Sequence, residues 1–329
     1  MATRRKTGVD TERLEPLYET MLLIRRTEET LARVFADGEV PGFIHLSIGQ
    51  EAVAAGVASA LQPQDTLATT HRGHGHVLAR GLDLEGFFKE IMGRAGGICR
   101  GRGGSMHVAD MTMGIIGANG IVGAGIPIAV GSALALKTRS TGGVAVSMFG
   151  DGAMAEGVLH ESLNLAALWK LPVLFVCENN GWSEFSPTRE QFAAPLEKLA
   201  AAFGIPHARV DGNDVLAVAD AAARLVAEQR AGGGARVLEC TTRRVRGHFE
   251  GDPQKYRPPE ELKADASLDP IERAAAALRA AGVGEPGLEQ VAARVEGRIA
   301  AALAAARADA LPRHEEAIAD VYTVASGRQ

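Results

Sequence analysis

The stretch VAVSMFGDGAMAEGVLHESLNLAALWKLPVLFVCENN, residues 144–180, decides the fold of this chain. An apolar run over residues 144–149 ends in Gly150-Asp151-Gly152, an amphipathic stretch follows to Trp169, and a second apolar run covers residues 171–177. This order predicts a strand, a loop, a helix and a second strand. A connection of this length makes the two strands parallel neighbours with a right-handed crossover, and ligands bind at the carboxyl ends of such strands.

Helix and strand patterns continue on both sides of this stretch. Beyond Pro270 the chain is rich in Ala, Arg and Glu, which predicts two exposed or interface helices interrupted at residues 282–287. We expect an α/β fold, with a mostly parallel sheet flanked by helices and with helical extensions at both ends. The remaining predicted elements are helices at 12–35, 50–61, 84–92, 127–137 and 215–230, and strands at 208–211 and 236–241.

Length and composition agree with a globular protein. The chain has 329 residues, 46% of them hydrophobic and 23% charged, and a formal net charge of -5, which is not basic enough for general nucleic-acid binding. No internal repeat is visible, so we expect a single domain over residues 1–329, with a core at about 14–260 and a helical C-terminal extension at about 270–329. The 39 glycines cluster at residues 93–125, which indicates backbone close to a ligand.

Cysteine use and the chain start suggest a cellular compartment. Cys99, Cys177 and Cys240 lack metal-like spacing, and we expect them to be reduced, buried and inert. The basic start, residues 1–8, has no apolar segment typical of a signal peptide, so we expect a cytoplasmic protein. The uncharged run 115–136 is long enough to span a membrane, but Asn119, Pro127 and its glycines favour a buried helix that faces a ligand.

Oxygen ligands follow both strands of the opening stretch. Asp151 lies just past the first predicted strand, and Asn179-Asn180 lies at the end of the second, so both point into one crevice. Carboxylate and amide oxygens suit magnesium, whose coordination shell is completed by phosphates and water. Gly150 and Gly152 allow a diphosphate to approach, and a helix beginning near Met154 would direct its N-terminal amides at the same anion.

These motifs resemble those of thiamine diphosphate enzymes, which carry Gly-Asp-Gly followed, after somewhat under thirty residues, by Asn-Asn. Here 26 residues separate Gly152 from Asn179. The resemblance extends from about Leu14 to Tyr256 and narrows to the alpha subunits of the acetoin dehydrogenase and 2-oxo acid dehydrogenase complexes. It implies the thiamine diphosphate-binding fold. The matching segments are HLSIGQE at 45–51, THRGHGH at 70–76, GGSMH at 103–107, NGIVG at 119–123 and Gly247-His248.

The resemblance also implies roles for individual residues. Asp151, Asn180 and the backbone of Trp182 would bind magnesium. The remaining cofactor contacts would come from two backbone segments and three side chains. They are the Gly120 to Val122 backbone for the aminopyrimidine, the Gly152 and Ala153 amides for the diphosphate, Arg72 as a phosphate clamp, and His71 and His248 as further ligands.

Histidines form a second group of candidate residues. His45 and His248 are the candidates for catalysis, since histidine moves protons near neutral pH. His74, His76 and His107 are expected to be structural, through hydrogen bonds within their loops. His71, His74 and His76 lie in a glycine-rich loop that lacks helical spacing and a nearby acid, so we do not expect zinc.

The same resemblance implies partners. A beta subunit would supply the glutamate that activates the cofactor, in an alpha2-beta2 heterotetramer, and a lipoyl-bearing acyltransferase would accept the acyl unit. Neither nucleic acid nor membrane is expected. Residues 247–252 resemble acetoin-type subunits, with Phe249 and Lys255 at positions where some relatives carry phosphorylated serines. Cleavage of acetoin, a small-molecule substrate, is therefore the favoured activity, and pyruvate or a branched-chain 2-oxo acid is the alternative.

Two other functions remain open at this point. One is an NAD-binding α/β protein, although residues 117–123 do not follow a clear strand and no acid lies about 20 residues further on. The other is a non-catalytic phosphate-binding or scaffold subunit. Only a protein of the favoured class would bind thiamine diphosphate in the presence of its partner.

Overall fold

A parallel sheet forms the centre of the computed structural model, which describes residues 10–266 and 268–319. Its strands are β1 (Thr66–Ala68), β2 (Ile115–Gly117), β3 (Ala145–Gly150), β4 (Val173–Asn179), β7 (His207–Asp211) and β8 (Arg236–Thr241), and a small antiparallel hairpin is formed by β5 (Trp182–Ser183) and β6 (Ser186–Pro187). The order in the six-stranded sheet is β2-β1-β3-β4-β8-β7, with every pairing parallel. The predicted α/β class is confirmed.

Helices cover both faces of the sheet because the strands are apolar on both sides. Val146 and Leu174 pack with one layer of the core, and Ala145 and Phe175 pack with the other. The α-helices are α1 (Thr11–Ala36), α2 (Glu51–Ala58), α3 (His74–Ala79), α4 (Leu84–Ile91), α5 (Gly125–Thr138), α6 (Gly157–Leu168), α7 (Leu196–Ala202), α8 (Val215–Glu228), α9 (Pro259–Ala266), α10 (Pro270–Ala280), α11 (Glu285–Ala308) and α12 (His314–Ala319).

The register of β3 against β4 positions the predicted ligands. Gly150 lies opposite Glu178, so Asp151 and Asn180 each follow a neighbouring strand end on the same edge of the sheet. The prediction of a helix beginning near Met154 is wrong in detail. A short 3-10 turn covers Asp151–Ala155, and α6 begins only at Gly157.

Several short elements were not predicted from the sequence, among them β1, β2 and α3. The segment interpreted as a loop between α2 and α4 contains β1 and α3, so His74 and His76 lie on a short helix rather than in a loop. Strand β2 was also missed. Strands of three residues are too short to show an alternating pattern, and only their neighbours in the sheet define them.

The C-terminal helices bury one face in the core and leave much of the rest exposed, so the expectation of exposed or interface helices holds for part of their surface. Leu278 of α10 is fully buried, as is Val295 of α11. Helix α11 packs against α1 and α4. The alanine-rich composition hid this packing, because a few large apolar residues at helical spacing are enough to anchor a helix.

Two of the three cysteines are buried as expected. Cys177 and Cys240 are buried on neighbouring strands, whereas Cys99 is only half-buried, and all three are free. Among residues 10–266 and 268–319, no helix combines the length and the apolar character that crossing a membrane requires. Residues 1–8, which support the expectation of a cytoplasmic protein, lie outside the described residues.

Candidate functional site

A cavity of about 310 Å³ opens at the carboxyl ends of β1, β3 and β4. This is the position that parallel sheets offer to ligands. All of the predicted site residues line it. They are His45, His71, Arg72, Gly120, Val122, Asp151, Gly152, Ala153, Asn180, Trp182 and His248.

Asp151 is suited to a metal ion. Its side chain is buried, and its Oδ2 atom accepts a hydrogen bond from the Thr188 hydroxyl. Its Oδ1 atom has no hydrogen-bond partner among the described residues. Burial raises the pKa of Asp151 to about 6. Burying a carboxylate oxygen without a partner costs folding free energy. A divalent cation bound here would offset that cost.

Asn180, and not Asn179, faces the cavity. The Asn180 Nδ2 donates to Gln50 Oε1 at 2.9 Å, and its Oδ1 accepts from the Trp182 backbone N–H at 3.1 Å. Asn179 instead donates to Glu239 Oε1 at 2.7 Å, away from the cavity. Asp151, Asn180 and Trp182 all line the cavity, and their carboxylate, amide and carbonyl oxygens are the kinds of ligand that magnesium prefers.

We expect Gln50→Leu to lower the affinity for magnesium about 10-fold, the lower end of what loss of a group that orients a metal ligand costs. Gln50 is buried, and its Oε1 holds the NH₂ end of the Asn180 amide, which fixes the position of the oxygen end. Gln50→Glu, which keeps an acceptor at this position, is the matched control. Titration with Mn²⁺ followed by electron paramagnetic resonance measures the effect, and equal affinities in wild type and Gln50→Leu would contradict it.

The backbone next to Asp151 is closely confined. A Cβ atom added to Gly152 would lie 2.5 Å from Ser183 Oγ and 3.0 Å from Ser183 Cβ, so a larger residue would require Ser183 to move. Gly152 and Ala153 are in the 3-10 turn that leads toward α6, and Ala153 is buried. On the opposite wall, Gly120 and Val122 are exposed. The Ile121 N–H there donates to Asn119 Oδ1 at 2.9 Å.

Three imidazoles converge at one end of the cavity. The ring centroids of His45 and His71 are 4.7 Å apart, those of His45 and His248 are 5.1 Å apart, and those of His71 and His248 are 5.5 Å apart. Burial, followed by the positive charge of Arg72, lowers the pKa of His45 to about 3, of His71 to about 2 and of His248 to about 4. In this chain they are neutral near pH 7, so each can donate one hydrogen bond and accept another.

The same cluster is a poor metal site despite its spacing. The ring nitrogens of His45, His71 and His248 lie within 4.8 Å of one another, which would permit a shared ion. However, burial lowers the pKa values of these histidines, and the positive charges of Arg72 and Arg244 lower them further. A positive field that disfavours a proton also disfavours a dication. As neutral imidazoles, these side chains are suited to donating and accepting hydrogen bonds.

Arg72 lines the cavity and bonds to two backbone segments. Its Nη1 donates to the Leu46 carbonyl at 2.6 Å, and its Nη2 donates to the His248 carbonyl at 2.9 Å. Burial, followed by the charge of Arg244, lowers its pKa to about 10. Arg72 therefore ties together the segments that carry His45 and His248. A guanidinium has five N–H donors, so these two bonds leave donors for a phosphate, and the phosphate clamp stays a prediction.

Arg244 is a site residue that the sequence analysis missed. It is buried, lines the cavity, and donates to the Tyr256 hydroxyl at 2.8 Å. Tyr256 in turn donates to Asp252 Oδ2 at 2.6 Å, and the same oxygen accepts from the His248 backbone N–H at 2.7 Å. The available signal was the spacing of Arg244 four residues before His248, but the run of arginines around it is typical of a surface.

The histidines expected to be structural have structural contacts. His74 lies between Glu28 Oε2 at 2.9 Å and Ser105 Oγ at 2.8 Å. His76 lies between the Thr69 hydroxyl at 2.6 Å and Glu178 Oε1 at 3.1 Å, and both of these partners line the cavity. His107 is exposed and its Nδ1 lies 3.3 Å from the Gly103 carbonyl.

The glycine-rich region 93–125 contains two different environments. Gly120, Gly123 and Gly125 line the cavity, as expected for backbone close to a ligand. The glycines before residue 105 do not. Several of them surround the buried carboxylate of Glu90, whose oxygens accept from the N–H groups of Gly101, Gly103 and Gly104.

Comparisons with known proteins agree with this geometry. The family model described as "Dehydrogenase E1 component" matches residues 19–315. The alpha subunit of acetoin:2,6-dichlorophenolindophenol oxidoreductase from Bacillus subtilis is 50% identical over 248 residues, 74% of each chain. The protein of that name from Cupriavidus necator is 44% identical over 319 residues, 95% of each chain. The alpha subunit of the pyruvate dehydrogenase E1 component from Zymomonas mobilis is 44% identical over 310 residues, 93% of this chain and 88% of that protein.

Proposed function

The chain belongs to the dehydrogenase E1 component family, and from that premise we propose that it is the thiamine diphosphate-dependent alpha subunit of an acetoin dehydrogenase-type complex. The observation that carries the proposal is the buried Asp151 carboxylate, whose Oδ1 has no hydrogen-bond partner among the described residues. Asp151 follows the end of β3 as Asn180 follows the end of the neighbouring strand β4. We further propose that residues 1–329 form a single domain.

Different groups of the cavity would bind different parts of the cofactor and the metal. We propose that Asp151, Asn180 and the Trp182 carbonyl hold magnesium, and that the amides of Gly152 and Ala153 hold the diphosphate. The backbone from Gly120 to Val122 would support the aminopyrimidine. Arg72, which ties the histidine segments together, would also donate to the phosphate, and His71 and His248 complete the ligand set. Thiamine diphosphate, when bound, supplies the electron sink for cleavage of the carbon-carbon bond next to a carbonyl.

His45 and His248 are the groups of this chain that act on the substrate. Both are neutral, and they lie side by side at the inner end of the cavity. A neutral imidazole can donate its N–H to a substrate oxygen and accept a proton at its other nitrogen. We propose that this pair stabilises and protonates oxygen atoms of the substrate, while the buried walls exclude water.

A beta subunit completes the site. The relatives are named as alpha subunits, and we propose an alpha2-beta2 heterotetramer in which the beta subunit supplies the activating glutamate. The chain exposes an apolar surface next to the cofactor segment, formed by Ile121, Val122, Ile128 and Leu134. We propose that this surface binds the beta subunit, and that a lipoyl-bearing acyltransferase accepts the acyl unit.

Gly131→Arg is expected to weaken association with the beta subunit at least about 30-fold, or about 2 kcal/mol. Gly131 is exposed on α5 between Ile128 and Leu134, and a Cβ atom there would meet no atom within 4 Å. The substitution therefore places a charge on the proposed interface without a clash inside the chain. Gly297→Arg on α11, where the space is equally open, is the matched control. Size-exclusion chromatography with light scattering measures the assembly, and an intact Gly131→Arg complex would refute this interface.

The substrate is tested with the reconstituted alpha–beta pair and dichlorophenolindophenol as electron acceptor. Acetoin should give a higher kcat/KM than pyruvate or 3-methyl-2-oxobutanoate. Phe249 packs edge-to-face on Phe43, with ring centroids 6.0 Å apart, beside His248 at the cavity, so no hydroxyl is present there for a kinase. If pyruvate has the higher kcat/KM, the alternative of a pyruvate dehydrogenase subunit, which the Zymomonas relative favours, is correct.

A further inference from the structure

Helix α4 carries a buried carboxylate that organises the glycine-rich loop of residues 94–107. Glu90 is fully buried. Its Oε2 accepts from the N–H groups of Cys99 at 2.7 Å and Gly101 at 2.8 Å. Its Oε1 accepts from those of Gly103 at 2.7 Å and Gly104 at 3.0 Å. The loop thus wraps its amides around an anion that the chain itself supplies, as such concave backbone segments do around phosphate.

The far end of this loop reaches the cofactor cavity. Ser105 is held by His74, and Met106 lines the cavity. The Met106 sulfur lies 3.7 Å from the position that a Cβ atom would take on Gly120. The Val108 carbonyl, just after the loop, accepts from the Ala118 N–H at 2.9 Å. A shift of the loop would therefore move residues that contact the segment around Gly120.

The near end of the loop is tied to the end of helix α11. Asp309, the residue that follows this helix, accepts from the Gly96 N–H through Oδ2 at 2.7 Å. The Ala310 carbonyl accepts from the Ala95 N–H at 2.8 Å. Since α11 also packs against α4, the helix that carries Glu90, the loop is held from both sides by elements that do not line the cavity.

We propose that Glu90 and Asp309 are positioning residues for the cofactor, and that the C-terminal helix α11 thereby contributes to thiamine diphosphate affinity without touching the ligand. This inference rests on the proposed function. A loop with many glycines has many conformations, and its ordering must be supplied by contacts. If Glu90 and Asp309 supply those contacts in advance, the cofactor does not have to order the loop on binding.

The test compares Asp309→Ala with Asp309→Asn in the alpha–beta complex. Asparagine keeps an oxygen that can accept from the Gly96 N–H, whereas alanine does not. Calorimetric titration with thiamine diphosphate and magnesium should show roughly a 3- to 30-fold lower affinity for Asp309→Ala, the range by which residues remote from a ligand alter its binding. Asp309→Asn should restore the affinity. Hydrogen exchange of residues 94–107 in the cofactor-free complex should rise in the alanine variant and not in the asparagine variant.

Glu90→Gln is the stronger perturbation. Glutamine has a single acceptor oxygen, so some of the four N–H groups lose their partner. We expect a larger loss of affinity than for Asp309→Ala. If Glu90→Gln does not fold, the Asp309 pair still decides the question.

Three outcomes separate the possibilities. A wild-type complex that fails to bind thiamine diphosphate overturns the proposed function and this inference with it. A wild type that binds, with Asp309→Ala binding equally well, overturns the inference alone. A lower melting temperature in Asp309→Ala with an unchanged cofactor-induced rise in that temperature means that the contact is merely structural, which also overturns it.

Discussion

Replacing Asp151 by alanine is expected to lower the affinity of the alpha–beta complex for thiamine diphosphate with magnesium at least about 100-fold, or about 2.8 kcal/mol. Asp151 is the one carboxylate among the proposed metal ligands, and its buried Oδ1 has no partner among the residues that the structure describes. When this group is removed, a hard dication loses the one charged ligand that the proposed set offers from this chain. Calorimetric titration with and without magnesium measures the effect.

In the cofactor-free complex, Asp151→Asn should raise folding stability relative to wild type as the pH rises, even though loss of the carboxylate lowers cofactor affinity. Burial holds the Asp151 pKa at about 6, above its ordinary value of 3.8, so the folded state binds this proton more tightly than the unfolded state. The penalty for ionising the buried group is absent at low pH, develops as pH rises from about 4 to 6, and reaches on the order of 3 kcal/mol above that. Asp151→Asn avoids it.

Thermal unfolding without cofactor at pH 4 and at pH 8 measures this difference. The stability of Asp151→Asn relative to wild type should rise between the two pH values, since only wild type must carry the buried charge. Magnesium and thiamine diphosphate together should then favour wild type. A variant that stays less stable than wild type by the same amount at both pH values would show that ionising the Asp151 carboxyl carries no such penalty.

Replacing His45 by alanine is expected to lower kcat by about 100- to 10,000-fold, the usual contribution of a positioned acid or base. The affinity for thiamine diphosphate should change much less, because His45 is proposed to act on the substrate. His248→Ala should lower kcat to a similar degree, with a larger effect on cofactor affinity. Steady-state kinetics with acetoin and calorimetry measure the two quantities.

His314→Ala is the control for these histidine variants, because His314 is exposed on α12. A His45 variant that keeps more than about a tenth of the wild-type kcat would exclude it as an essential acid or base. The double variant of His45 and His248 adds a further check. If the two residues act on the same proton transfer, the combined loss should be smaller than the product of the single losses.

Local sequence patterns identified the edge of the sheet where the cavity opens. Residues 144–180 show the alternation between strand and helix within one continuous segment, which also contains the turn residues that end β3. The prediction of neighbouring parallel strands is confirmed by the register of Gly150 against Glu178. Choosing Asn180 over Asn179 was possible only through the resemblance to a family, since two adjacent asparagines are equivalent in a one-dimensional pattern.

Other features required the packed chain. The short strands β1 and β2 have no pattern of their own, and the anchoring of α10 and α11 depends on which faces of α1 and α4 are free. The bonds that Arg72 makes to the backbone could not be predicted for the same reason. They depend on the positions of the Leu46 and His248 carbonyls, which belong to segments distant in sequence.

By itself, the sequence determined the α/β class, the strand ends that carry Asp151 and Asn180, and the oxygen chemistry of the site, because each of these depends on residues close together in the chain. Only the tertiary structure decided that His45, His71 and His248 form one neutral cluster, that Gln50 orients Asn180, and that Glu90 and Asp309 hold the glycine-rich loop. Most of these contacts join segments distant in sequence. They follow from burial and from the direction of side chains in the packed core, which local residue patterns do not encode.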